Sequence, residues 1–220
     1  MEILKIENLK KVYGKGEAEV IAVNDVSFEV EEGEFIAIIG PSGSGKSTIL
    51  HMIAGLEKPT SGNVYFYDKN MYEMSKKDLT ILRREKIGII YQFYNLISTL
   101  NVEENITLPI ELDKKKVNRE KLEEIIQFLN IDNRKKHLPN EISGGQQQKV
   151  AIGRALIIDP NIILADEPTG NLDSNSSEEI IQLFKKINKE YHKTIIMITH
   201  NLEIAKQANR ILQIKDGKIV

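Results

Sequence analysis

Phe35-Ile36-Ala37-Ile38-Ile39-Gly40-Pro41-Ser42-Gly43-Ser44-Gly45-Lys46-Ser47-Thr48-Ile49-Leu50 is the stretch on which the reading of this chain turns. Its first five residues are apolar and mostly branched, as suits a strand covered on both faces. Its end, with Ile53 beyond it, opens a helical pattern. Between them, Gly40 to Ser47 fits G-x-x-x-x-G-K-[ST]. Glycines let the backbone turn so that successive N–H groups face an anion, and the helix start adds partial positive charge. Gly40, Ser42, Gly43, Ser44 and Gly45 are therefore candidate phosphate-cradle residues. Lys46 would neutralise β/γ oxygens, Ser47 would supply a hydroxyl to Mg²⁺, and Thr48 would donate to another phosphate oxygen.

Three further apolar runs, Ile87 to Tyr91, Ile162 to Ala165 and Ile195 to Ile198, are equally short and do not alternate. Their length favours strands buried on both faces over helices. They stop at Gln92, at Asp166-Glu167 and at Thr199-His200. In open parallel α/β sheets ligands bind beyond the carboxyl ends of strands, so these groups and Gly40 are expected to converge. Asp166 would hold Mg²⁺ directly or through water, and Glu167 would polarise an attacking water as general base.

Around this α/β core with its mostly parallel sheet, helical spacing is clearest at Leu122, Ile125, Ile126 and Leu129, and at Ile180, Leu183, Phe184 and Ile187. The first 30 residues alternate more, which predicts an antiparallel β region. Residues from about 95 to 148 are charged and poor in β-branched runs, which predicts a helical insertion. With no internal repeat or low-complexity linker, residues 1–220 read as a single domain.

Thirty Lys and Arg against 32 Asp and Glu give a net charge of −2, so there is no global basic field to gather nucleic acid or anionic lipid. An apolar content of 41% excludes disorder as the main state, and the absence of Cys excludes disulfides. No run approaches the roughly 18–20 apolar residues that span a bilayer, and the N-terminus lacks an apolar signal segment; a cytoplasmic location is expected.

Ile142-Ser143-Gly144-Gly145-Gln146-Gln147-Gln148 begins a second glycine-led helix, with Ser143 a plausible N-cap. Together with the phosphate loop and Ala165-Asp166-Glu167-Pro168-Thr169-Gly170-Asn171-Leu172-Asp173-Ser174, it resembles the ATP-binding cassette (ABC) ATPases. The likeness extends from Tyr13 to His200. Within that family it is most similar to the lipoprotein-release, macrolide-efflux and bacitracin-resistance group, which includes a cell-division member.

The resemblance implies a P-loop NTPase core, ATP and Mg²⁺ as ligands, and a site shared by two copies of the chain. One copy would contribute the phosphate loop and the other would press Ser143, Gly144 and Gly145 against the γ-phosphate. It also implies that Tyr13 stacks on adenine, that Gln92 senses metal and water, that Asp173 contacts the opposite subunit and that His200 donates to the γ-phosphate. His51, His137 and His192 read as ordinary surface or core residues. Ile142, Lys149 and Phe93 depart from the usual Leu, Arg and Gln without touching a catalytic group.

By the same resemblance the chain is a transport ATPase peripheral to the inner face of the cell membrane, driving separate membrane-spanning permease subunits. The apolar residues Phe93, Tyr94, Leu96, Ile97 and Leu100 either receive that partner or pack inside the helical insertion. A non-transport cassette remains the alternative, either transmitting force to a membrane or cell-wall complex or, less consistent with 220 residues, serving nucleic acid. A P-loop kinase would leave Ser143-Gly144-Gly145 and Glu167 unexplained.

Overall fold

A computed structural model describes residues 1–220, the side chain of Glu17 excepted. The elements in chain order are strands β1 (Glu2–Tyr13), β2 (Val20–Glu31) and β3 (Phe35–Ile39), helix α1 (Lys46–Ile53), β4 (Ser61–Phe66), β5 (Lys69–Asn70), α2 (Lys76–Lys86), β6 (Ile87–Ile90), α3 (Val102–Leu112), α4 (Arg119–Phe128), α5 (Gly144–Leu156), β7 (Ile162–Asp166), α6 (Ser174–Tyr191), β8 (Thr194–Ile198), α7 (Leu202–Ala205), β9 (Arg210–Lys215) and β10 (Lys218–Ile219).

The four apolar runs form the contiguous block β3-β8-β7-β6 of a six-stranded sheet of order β10-β9-β3-β8-β7-β6, with β6 at its edge. All neighbours pair in parallel except β10 with β9. The runs do not alternate because both faces are covered. Phe35, Ile163, Ala165, Ile195 and Met197 point into one core, shared with α5 and α6. Ile36, Ile38, Ile162, Leu164, Ile196 and Ile198 point into a second, shared with α1 and the N-terminal strands. The four carboxyl ends lie along one edge, which brings Gly40, Thr199-His200, Asp166-Glu167 and the loop after β6 to the same side.

The antiparallel sheet has order β2-β1-β4-β5, so it reaches past the first 30 residues and draws in residues 61–70. β1 is its central strand and needs a partner on each edge; β4 supplies the second, pairing Leu4 with Phe66 and Ile6 with Val64. The helical region likewise differs at its end. α3 and α4 lie within it, but α5 begins at Gly144 and runs to Leu156, burying Val150, Ala151 and Ile152 beneath the core. Capping fixes both helix starts: Asn101 with Glu104 at α3, and Ser143 with Gln146 at α5, each form a reciprocal capping box. Basic side chains around this region are tied down locally, Arg84 and Lys115 by Asp113, and Lys136 by Glu103.

Candidate active site

The phosphate loop leaves β3 and enters α1 through Gly45, whose φ of 98° lies in the left-handed region. A Cβ there would stand 2.1 Å from the Ala22 carbonyl oxygen. That carbonyl projects from a register shift: Lys11 pairs with Val23 and Val12 with Ile21, leaving Ala22 as an extra residue. The antiparallel sheet thus walls the loop. Within the loop, Lys46 Nζ donates to the carbonyls of Gly40 at 2.9 Å and Pro41 at 2.8 Å. Ser44 Oγ is buried without a hydrogen-bond partner. An unpartnered hydroxyl beside a buried ammonium, at the start of a helix with no acid in its first turn, suits a phosphate.

Across from the loop, Ser47 Oγ donates to Asp166 Oδ1 at 3.2 Å. Burial pushes the Asp166 carboxyl above the usual range; the Ser47 hydroxyl and nearby His51 oppose that, whereas Glu167 adds to it. The alcohol and carboxylate are hard oxygen donors, the type Mg²⁺ takes. Among the described residues no group of three or more His, Cys, Asp or Glu side chains could hold a metal. A cation at this pair would complete its shell from substrate phosphates and water, as Mg²⁺ usually does.

Glu167 adopts a φ of 46°. A non-glycine residue there carries strain of roughly 1–3 kcal/mol, of the kind that collects at functional sites. The turn is held by Glu167 N–H on the Ile198 carbonyl and by Gly170 N–H on the Glu167 carbonyl. The side chain meets His200, whose Nδ1 lies 3.1 Å from Glu167 Oε2. His200 thus rests on the acid, whereas the resemblance implied a role toward phosphate; its side chain is 67% exposed and free to turn.

The remaining residues form a second group. Gln92 bonds to Asn171, side chain to side chain at 3.4 Å, and Asn171 Nδ2 returns a bond to the Gln92 carbonyl at 3.1 Å. Ser143 caps α5. A Cβ on Gly144 would lie 2.8 Å from the Tyr94 hydroxyl, so a larger residue there would have to push that side chain aside. Asp173 caps α6, accepting from Ser176 N at 2.9 Å and from Ser176 Oγ at 2.7 Å, and these bonds hold its carboxyl below the usual range. Among the described residues, no hydrogen bond joins Ser143, Gly144, Gly145 or Asp173 to the phosphate loop. Tyr13 is 40% exposed at the end of β1 and is not a core residue. Phe93 and Ile97 are exposed, while Leu96 packs on the core.

Two contributors escaped the sequence reading. His51 follows Ser47 by one helical turn, a spacing that puts both on one face of α1. Arg154, on α5, donates to the carbonyls of Tyr94 and Asn95 at 2.7 Å each; nothing in its neighbourhood of the sequence signals a partner some sixty residues away.

A parallel sheet whose strand ends gather a glycine-rich phosphate loop, a serine–aspartate pair and a second carboxylate defines a P-loop nucleoside triphosphatase. The ABC transporter family profile matches residues 23–170, and the chain belongs to that family as an ATP-binding, ATP-hydrolysing domain. It is similar to an uncharacterized ABC transporter ATP-binding protein of Methanocaldococcus jannaschii, MJ1508, at 44% identity over 99% of this chain and 98% of the relative. It shares 45% identity with the macrolide export ATP-binding/permease protein MacB of Mannheimia succiniciproducens, over 100% of this chain and 34% of MacB. A dimeric post-hydrolysis structure of the ATP-binding cassette MJ0796, bound to ADP and Pi, resembles the fold with a TM-score of 0.89 at 42% identity, covering 98% of this chain and 96% of that one.

Proposed function

We propose that two copies of this chain close around two ATP molecules, and that cleavage of the γ-phosphate lets them part. The observation that carries this reading is the convergence at one sheet edge of buried Lys46, the Ser47–Asp166 pair at 3.2 Å and the Glu167–His200 pair at 3.1 Å. Lys46 exchanges its two loop carbonyls for β/γ oxygens. Ser47 and Asp166 would hold Mg²⁺, with Gln92 on the neighbouring loop as a further ligand; when bound, the ion would neutralise charge on the phosphates. Glu167 takes a proton from the attacking water as the new oxygen–phosphorus bond forms and the bond to ADP breaks. His200 orients Glu167 in the open state and turns to donate to the γ-phosphate on closure. Ser143, Gly144 and Gly145 of the second copy, at the α5 N-terminus, complete the cage, with Asp173 facing the other copy and Tyr13 stacking on adenine.

The same reading assigns a membrane-spanning permease as partner, with the chain on the inner face of the membrane. Among the described residues, no helix is long and apolar enough to cross a bilayer. A mostly apolar groove of about 390 Å³, lined by Ile89, Tyr91, Leu108, Leu112 and Arg154, runs between β6 and α3. It fits an apolar helix end. Macrolide-export MacB carries both an ATP-binding and a permease function in its name, which supports the pairing.

Glu167→Gln tests the proposal. The amide keeps the shape but cannot take a proton, so ATP is expected to convert the variant from monomer to dimer on a sizing column, with hydrolysis almost abolished. A variant that stays monomeric with ATP at micromolar protein would refute the shared site.

A further inference from the structure

We infer that Lys11 is a positioning residue for the purine base: its ammonium holds the Tyr13 ring in place and strengthens it as a stacking surface. The inference rests on the base-stacking role proposed above for Tyr13. Lys11 Nζ stands 5.0 Å from the centroid of the Tyr13 ring, within cation–π reach. The two residues are separated by one position along β1, which puts them on the same side of a strand. Lys11 is not a loose surface lysine. Its side chain is only 14% exposed, it pairs with the Glu57 carboxylate at 2.5 Å, and it donates to the Lys58 carbonyl at 2.7 Å.

Those anchors connect the two ends of the nucleotide site. Leu56 and Glu57 follow α1 directly and donate their N–H groups to the His51 carbonyl in that helix. The other end of α1 carries Lys46 and Ser47. One short helix therefore sets both the phosphate contacts and the post from which Lys11 reaches the aromatic ring, so the spacing from base to phosphate is built into α1 and its following turn.

A cation on one face of a tyrosine draws electron density toward itself and leaves the other face better matched to an electron-rich purine. An exposed ring ordinarily loses rotamer freedom on stacking; a ring already held by a neighbour loses less, which favours binding. Because stacking reads the base's π-face and not its edge, the device selects purine over bare phosphate without distinguishing purines by hydrogen bonds.

A double-mutant cycle on ATP affinity tests this, using wild type, Lys11→Met, Tyr13→Ala and the double variant, with ATP displacing a ribose-labelled fluorescent analogue. With the ring present, Lys11→Met is expected to weaken ATP about 2- to 5-fold, the equivalent of about 0.5–1 kcal/mol. In the Tyr13→Ala background the same change has no further effect, and Lys11→Arg, which keeps a cation over the ring, retains affinity. Equal losses in both backgrounds would show that Lys11 acts through the fold or the phosphates and would overturn the inference. Loss in Tyr13→Ala with none in Lys11→Met would overturn it while leaving the stacking role intact; no loss in Tyr13→Ala would remove that role and this inference with it. Should Lys11→Met fold poorly by circular dichroism, Glu57→Gln replaces it in the cycle, since it loosens the ammonium without removing it.

Discussion

Alanine at Gly45 and alanine at Gly43 separate two costs that the phosphate loop imposes on its own sequence. Both glycines have positive φ, 98° and 76°, so each substitution puts a Cβ where L-residues are disfavoured by about 1–2 kcal/mol. At Gly43 that is the whole effect, because nothing lies within 4 Å of the added carbon. At Gly45 the carbon would fall 2.1 Å from the Ala22 carbonyl oxygen and 3.2 Å from its carbon. The obstacle is main chain. It is flanked by β1 on one side and, through the Asn24 N–H to Gly217 carbonyl bond of 2.8 Å, by the turn before β10 on the other. Forcing such a contact into a packed site costs about 1–3 kcal/mol more. Gly45→Ala is therefore expected to destabilise the nucleotide-free chain by about 2–5 kcal/mol, against about 1–2 for Gly43→Ala. In a protein of this size each kcal/mol lowers Tm by about 2–4 °C. Thermal unfolding followed by circular dichroism should place Gly45→Ala several degrees below Gly43→Ala. Equal or reversed losses would show that the Ala22 wall yields freely, and the steric account of this loop would fail.

Asp166→Asn should stabilise the nucleotide-free chain at neutral pH, because the folded-state carboxyl has a raised pKa and its ionised form opposes folding. The gain in urea midpoint should shrink as the pH falls through the carboxylate range, where the protonated acid is accommodated as well as the amide; a gain independent of pH would count against burial as its source. Arg154→Met removes charged donors from the carbonyls of Tyr94 and Asn95 and should cost about 1.5–3 kcal/mol. Limited proteolysis should then cut faster between Gln92 and Leu100, and unchanged cleavage would show that the guanidinium does not hold that loop.

What could be read in advance follows from where each signal resides. Both-face burial leaves an uninterrupted apolar run, so β3, β6, β7 and β8 were visible, and with them the positions of Gly40, Asp166, Glu167 and His200 at the strand ends. β9 was not visible in this way: exposure alternates along Arg210–Lys215, and its pairing with β3 depends on the fold. β4 was missed for a related reason, since Ser61-Gly62-Asn63 offers little β-propensity and the strand forms because β1 needs a second neighbour. In the site, residue types at fixed spacing were legible, whereas their partners were not. The Ala22 carbonyl against Gly45, Arg154 on the Tyr94 carbonyl and the Lys11 ammonium over Tyr13 are products of tertiary placement. The contact of His200 with Glu167 is another.

The central strands are almost equally greasy on either flank, so oil and water alone scarcely index them. Sliding β8 by one residue would exchange isoleucine for isoleucine or methionine at positions 195–197, a change the interior would notice little, yet it would carry Thr199 and His200 about 3.3 Å along the strand. The polar bookends supply the missing index: the Gly33 N–H on Thr194 Oγ1 and the Phe35 N–H on Asn209 at one end, and the Thr199 N–H on the Ile38 carbonyl at the other. Substituting Thr194 or Asn209, both outside the phosphate loop, would blur the alignment on which turnover depends.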